Sequence, residues 1–293
     1  MFDKVVIVGV GLIGGSFALG LKAAGAVRSV VGLERSSAAL ARARELGIID
    51  VACTDPQEAL QGADLVLLAT PVAQTEAVLR QLAPWLEPHT IVTDAGSTKA
   101  DVVASARAAL GDRIGQFVPG HPIAGRESNG PDAALPDLFR GKKTVLAPLA
   151  ENPAQLVERV AAAWTLCGAI IHRLSAAEHD RVFAAVSHLP HLLAYALVDD
   201  IANKPHADLL FQYAASGFRD FTRIAGSSPE MWRDISLANR DAILGELDAY
   251  LAQLSNLRAR LAAADGPALE AVYGNAQRAR RAWVEAIEAA EGK

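Results

Sequence analysis

Apolar and polar positions fall into two regimes along the chain. In the first half, short unbroken apolar runs alternate with longer amphipathic segments. Lys4-Val-Val-Ile-Val8, Ser29-Val-Val-Gly-Leu33, Asp64-Leu-Val-Leu-Leu-Ala69, Thr90-Ile-Val-Thr93, Thr144-Val-Leu-Ala147 and Ala169-Ile-Ile-His172 read as buried strands. Helices are expected over 12–24, 36–46, 99–110 and 153–166, with another opening at Thr70-Pro71, where proline suits the first turn. Alternating strand and helix predicts a doubly wound, mostly parallel sheet. From Ser175 onward no strand pattern appears. Ile243, Leu247, Tyr250, Leu251 and Leu254 recur at helical spacing, and Asp265-Gly-Pro267 separates two late helices. The expected division is therefore an α/β domain over 1–172 and an all-helical domain over 173–293.

Composition narrows the class. The chain has 293 residues, 51% hydrophobic and 21% charged, enough apolar material for two cores. Lys and Arg number 28 against 33 Asp and Glu, a net charge of −5, which argues against nucleic acid or an anionic membrane as partner. Two cysteines, Cys53 and Cys167, make neither a disulfide framework nor a four-cysteine zinc site, and free thiols suit the cytoplasm. No apolar run is read as reaching the ~18 residues of a membrane helix. Met1–Leu21 is apolar, but Asp3 and four glycines argue against a signal peptide.

The first chemistry-bearing motif is Gly9-Val-Gly11-Leu12-Ile13-Gly14, between a strand and a helix. That context turns G-x-G-x-x-G into a dinucleotide fingerprint. Gly9 allows the tight turn, Gly11 lets backbone approach a pyrophosphate, and Gly14 lets the helix pack close to the strand. Free N–H groups at the helix start would face the phosphates. Glu34, twenty residues past Gly14, suits the ribose 2′-hydroxyl and predicts NAD over NADP, although the adjacent Arg35 could pair with a 2′-phosphate. Thr70, ending the strand at 64–69, is placed at the same cleft. The expected domain is Rossmann-like.

Hydride chemistry needs an acid or base. No Tyr-x-x-x-Lys is present: the residues four after Tyr195, Tyr213, Tyr250 and Tyr273 are Asp199, Gly217, Leu254 and Gln277. His188 and His191 have a spacing that could suit a metal, but no third ligand is nearby and Pro190 is read as interrupting the helix; no metal is expected. Three polar clusters remain: Asp94-Ala-Gly-Ser97-Thr-Lys99, Gly120-His121-Pro122, and Ser187-His188-Leu-Pro190-His191 with Gly217-Phe-Arg219-Asp220-Phe-Thr222-Arg223. His121, at a strand end, is a candidate acid or base. Clustered His and Arg in the helical half suggest a carboxylate-bearing substrate. His89, His172, His179 and His206 are given no role.

Together the strings resemble the prephenate dehydrogenase family, which includes arogenate and cyclohexadienyl dehydrogenases. They are Gly9-Val-Gly-Leu-Ile-Gly-Gly-Ser16, Asp94 to Lys99, His121-Pro-Ile-Ala-Gly125, Glu178-His-Asp180, Ser187 to His191, Gly217 to Arg223, and Pro229-Glu-Met-Trp-Arg-Asp234. The resemblance implies an α/β Rossmann-like domain followed by an all-α dimerisation domain, and hence a homodimer. It implies oxidative decarboxylation of prephenate to 4-hydroxyphenylpyruvate with reduction of NAD, in tyrosine biosynthesis. His121 would be the base at the C4 hydroxyl, with Ser97 orienting His121 and the nicotinamide amide. Arg223 would bind the ring carboxylate, His191 and Ser187 would surround the substrate, and Trp232 would reach the pocket from a second subunit. Where members often carry Thr, this chain has Arg126. Prephenate and arogenate both stay open as substrate. A β-hydroxyacid dehydrogenase would need a lysine in the helical half, where Lys204 and the terminal Lys293 are the lysines present. A non-catalytic NAD sensor would have no need of His121, Ser97 and Arg223 together.

Overall fold

β1 (Phe2–Val8) is apolar on both faces because both are covered. Val5 and Ile7 point into one core with Phe17, Leu21 and Trp164, while Val6 and Val8 point into another with Leu60, Leu79 and Val102. Covered faces explain why the strands read as continuous apolar runs rather than as an alternation. In the computed structural model, which describes residues 1–126 and 128–291, the chain continues through α1 (Leu12–Ala23), β2 (Val27–Leu33), α2 (Ser37–Glu45), β3 (Val51–Cys53), α3 (Pro56–Leu60), β4 (Leu65–Leu68), α4 (Thr75–Leu82), β5 (Ile91–Asp94), α5 (Ala100–Leu110) and β6 (Phe117–Val118). The six strands form a parallel sheet in the order β3-β2-β1-β4-β5-β6. Its carboxyl edge gathers the loops after β1, β4 and β5, where such sheets bind ligands.

A second, three-stranded sheet follows. β7 (Gly120–Pro122) pairs antiparallel with β8 (Lys143–Leu146), and after α6 (Ala154–Leu166), β9 (Ile170–Arg173) pairs parallel with β8. The expected mostly parallel α/β architecture is present, with that one antiparallel pair set apart. β3, β6 and β7 were not read from the sequence, since runs of two or three residues carry no periodicity. Nor does a helix open at Thr70-Pro71: Pro71 stays extended, a 3-10 turn covers Val72–Gln74, and α4 begins at Thr75.

The rest is helical. A capping box, Ser175 with Glu178, opens α7 (Ala176–Phe183). A π-helical turn over Ala184–His188 leads without interruption into α8 (Leu189–Ala202). Pro190 therefore does not break the helix. Proline lacks an N–H and its ring crowds the carbonyl four residues back, that of Val186; the wider π turn sits at that point. Within the 27-residue run Ala176–Ala202 an 18-residue stretch reaches a mean hydropathy of 1.3, so among the described residues one helix is long and apolar enough to cross a membrane, contrary to the sequence reading. Its inward groups, described below, are hydrogen-bonded to α5 and α11. α9 (Ala207–Gln212), α10 (Ser216–Thr222) and α11 (Pro229–Ala238) follow, then α12 (Arg240–Ala262) and α13 (Gly266–Glu291). Compactness divides the chain into Met1–Arg240 and Asp241–Lys293. All site residues described below belong to the first unit.

Candidate active site

The loop after β1 forms one wall of a cavity of about 630 Å³, lined by Gly9, Gly11, Glu34, Arg35, Thr70 and Pro71 among others. Gly9 has φ +90°, and a Cβ there would meet the Ala69 carbonyl oxygen at 2.7 Å. A Cβ on Gly11, by contrast, would meet nothing within 4 Å, so backbone is open to the cleft where α1 starts. Gly14 lies behind this surface; a Cβ there would strike Ile7 Cγ2 at 2.7 Å, so α1 can press against β1. Leu12, Ile13 and Gly14 carry first-turn N–H groups that no carbonyl within α1 satisfies. Glu34 stands at the end of β2, its Oε1 accepting from Arg35 N at 2.9 Å. An open helix start, a carboxylate one strand away and a roomy cleft fit an adenine dinucleotide.

The second region starts where β5 ends. Asp94 Oδ2 accepts from Gly96 N at 2.7 Å, and Oδ1 accepts from Gly120 N at 3.0 Å. The Lys99 ammonium, fully buried, pairs with Asp94 and donates to the Gly120 carbonyl at 2.7 Å. This clamp fastens β7 beside β5 and so holds His121. His121 Nδ1 lies 2.8 Å from His179 Nε2, and His179 Nδ1 lies 2.8 Å from Asp180 Oδ1. Asp180 also accepts from Lys99 N and Ala100 N, both at 2.8 Å, at the start of α5. The side chain hydrogen-bonded to His121 in this structure is His179, to which the sequence reading gave no role.

Ser97 is tied into the site differently. Its backbone accepts a hydrogen bond from the buried His188, whose Nδ1 lies 3.0 Å from Asn239 Nδ2. Asn239 also donates to the Asp180 carbonyl at 2.8 Å. His191 Nδ1 donates to the Ser187 carbonyl at 2.8 Å, which leaves Nε2 as acceptor. Trp232 stacks on His191, with ring centroids 3.6 Å apart and planes inclined by 19°. Trp232 thus meets His191 within one chain. Arg223, at the end of α10, lies close enough to His191 to disfavour its protonation.

Burial makes the histidines reluctant to charge. It is the main reason His121 sits well below the ordinary histidine value, reinforced by His179, Lys99 and His188. His188 is pulled down to about 4, again mainly by burial. His179 is lowered by burial although Asp180 opposes this. For Asp180, burial acts upward, but the hydrogen bonds from His179, Ala100 and Lys99 outweigh it and hold the carboxyl below its usual range. The site therefore presents a neutral His121 next to an ionised Asp180 one histidine further back.

Comparison with known proteins bears on what this arrangement does. Residues 17–173 match the family "Prephenate dehydrogenase, nucleotide-binding domain", and residues 175–274 match "Prephenate dehydrogenase, dimerization domain". The chain belongs to the prephenate dehydrogenase family. It is 39% identical over 284 residues to a cyclohexadienyl dehydrogenase of Zymomonas mobilis, covering 96% of each chain. With a prephenate dehydrogenase of Bacillus subtilis it shares 38% identity, over 88% of this chain and 70% of the relative. The crystal structure of prephenate dehydrogenase from Aquifex aeolicus with hydroxyphenyl propionate and NAD+ superposes with a TM-score of 0.90 at 35% identity, covering 96% of this chain and 98% of that one. This prephenate dehydrogenase family member is an NAD-dependent oxidoreductase acting on a small molecule.

Of the residues singled out from the sequence, Gly9, Gly11, Glu34, Arg35 and Thr70 line one cavity. His191, Ser187, Trp232 and Arg223 form a second group. Missed were His179, Asp180 and Asn239. A signal for the first two was present: His179-Asp180 follows directly on a capping box, in a string that already carried the family resemblance. Asn239 has no such mark.

Proposed function

We propose that this chain converts prephenate and NAD+ into 4-hydroxyphenylpyruvate, CO2 and NADH. Bound NAD+ supplies the hydride acceptor. Everything else falls to the chain's own groups. His121, neutral and held by His179, takes the proton of the C4 hydroxyl as that carbon gives up hydride, and the C1–carboxylate bond breaks as the ring becomes aromatic. Arg223 binds the ring carboxylate, with Ser187 and His191 as polar neighbours and Trp232 as a wall. Ser97, fixed through its backbone by His188, would orient the nicotinamide amide. Gly9, Gly11 and the first turn of α1 hold the pyrophosphate, Thr70 lines the cleft, and Glu34 holds the ribose and disfavours NADP, with Arg35 beside it.

The observation that carries this reading is the neutral His121 backed by His179 and Asp180, a base with a built support. Residues 1–172 serve as the cofactor domain and 173–293 as the substrate and dimerisation domain. A homodimer is supported by the dimerization-domain match and by exposed apolar side chains on the helices, among them Leu209 and Phe221 at 52% and 50% exposure. We place the enzyme in the cytoplasm, in tyrosine biosynthesis, without nucleic acid or membrane partner. The test is NADH formation followed by absorbance with prephenate and arogenate side by side. Turnover of prephenate is expected; turnover of arogenate alone, or of neither, overturns the proposal. Light scattering on the eluting protein tests the dimer.

A further inference from the structure

Three side chains stand in line behind the reacting position: His121 on β7, then His179 and Asp180 on α7. Their donor and acceptor roles follow from chemistry alone. Asp180 is ionised and accepts two backbone N–H groups at the start of α5, so it can only accept from His179. His179 Nδ1 therefore carries a hydrogen. Being neutral, His179 has its lone pair on Nε2 and accepts from His121 Nδ1. The His121 hydrogen is then on Nδ1, and Nε2 is a bare lone pair. Phe183 walls the chain, its ring centroid 5.0 Å from that of His121 and 4.4 Å from that of His179, which keeps the bonds dry and strong. The charged and titratable groups facing His121 are His179, Lys99 and His188; those facing His179 are Asp180, Lys99 and Asp94.

We propose that His179, aligned by Asp180, is a positioning residue that fixes the proton of His121 on Nδ1, so that Nε2 is always the acceptor for the substrate hydroxyl. The inference rests on the reaction proposed above. It also gives the positive charge formed on His121 a place to go: as Nε2 takes the substrate proton, the Nδ1 hydrogen leans toward His179, and the ion is stabilised by the Asp180 carboxylate. No bond other than N–H and O–H changes within this relay. A histidine lacking the support would populate both tautomers, and the one protonated on Nε2 would meet the hydroxyl as a donor.

The test has two arms. In the first, nitrogen-15 histidine NMR of the whole chain, without substrate or cofactor, reads the tautomer of His121, its signal identified by its loss in His121→Asn. At about pH 7.5, where the ring is neutral, protonated Nδ1 and bare Nε2 are expected; the reverse tautomer, or a mixture, overturns the proposal. The second arm is kinetic. His179→Phe should lower kcat about a hundredfold with KM for substrate and NAD+ within about threefold. His179→Gln, whose amide oxygen can accept from His121 Nδ1, should keep the tautomer and recover about tenfold of that loss. A His179→Phe enzyme with near-normal kcat, or equal loss in both variants, overturns the proposal. Should His179→Phe fail to fold, the wild-type tautomer still decides. Should the wild type turn over neither substrate, the reaction falls while the NMR arm reads the relay independently.

Discussion

The imidazole of His191 lies almost flat on the indole of Trp232, their centroids 3.6 Å apart, although 41 positions of sequence separate them. The stack joins α8 to α11, and Arg223 lies close enough to His191 to disfavour its protonation.

That stack is the first point to test. Such aromatic pairs contribute about 0.5–1.5 kcal/mol beyond burial. Trp232→Leu is expected to lower kcat/KM for prephenate by about two- to tenfold, chiefly through KM. Trp232 Nε1 is buried without a partner among the described residues, so Trp232→Phe, which keeps the stacking face, separates the ring from its N–H. Steady-state kinetics of the two variants provide the measurement.

His121→Asn removes the base but leaves the pocket. A positioned general base contributes about 10²–10⁴ in rate. The expected result is a fall in kcat of that size with little change in KM, read from initial rates. A near-normal kcat would remove His121 from the chemistry.

Arg223 grips a carboxylate that leaves as neutral CO2, so its contact favours the bound substrate at least as much as the transition state. Arg223 is exposed in the unliganded chain; once substrate covers it, losing that charge contact costs about 2–5 kcal/mol. Arg223→Ala should therefore raise KM more than it lowers kcat. The opposite split would assign Arg223 to transition-state stabilisation.

Cofactor choice hangs on Glu34, at the mouth of the cavity with Arg35. Glu34→Ser removes the carboxylate that repels a 2′-phosphate and leaves the arginine. The ratio of kcat/KM for NADP+ over NAD+ should rise about tenfold or more, since one such contact carries about 1–3 kcal/mol. An unchanged ratio would take Glu34 out of discrimination.

Stability should fall in acid because of His188, 2% exposed, whose ring stays neutral down to about pH 4 in the folded chain. The unfolded chain protonates the same ring near 6.5. Between these values the unfolded state binds more protons, so lowering the pH favours unfolding, and the full effect is about 3 kcal/mol. Urea unfolding of the wild type and of His188→Gln at neutral and acidic pH reads it. The wild type should lose more stability than the variant; equal losses would show that His188 is not the group responsible.

Local physics made much of this protein legible. Continuous apolar runs such as Val5 to Val8 announced strands covered on both faces. Gly9, Gly11 and Gly14 announced a strand–turn–helix crossing: Gly9 takes φ +90°, Gly11 leaves backbone open to the cleft, and Gly14 leaves no room for a Cβ against Ile7. The same local logic missed β7, too short for any period, and mistook Pro190 for a helix end, since a π turn is not written in periodicity.

By itself the sequence determined the alternating α/β layout, the dinucleotide loop and the family resemblance, all encoded by neighbours along the chain. Tertiary structure decided which polar groups meet. His179 finds His121 across 58 positions and Asn239 finds His188 across 51. Those distances depend on how α7, α8 and α11 are set against β7 and the start of α5. Burial then turns an ordinary histidine into a neutral base, because desolvation acts only once the chain has closed around it.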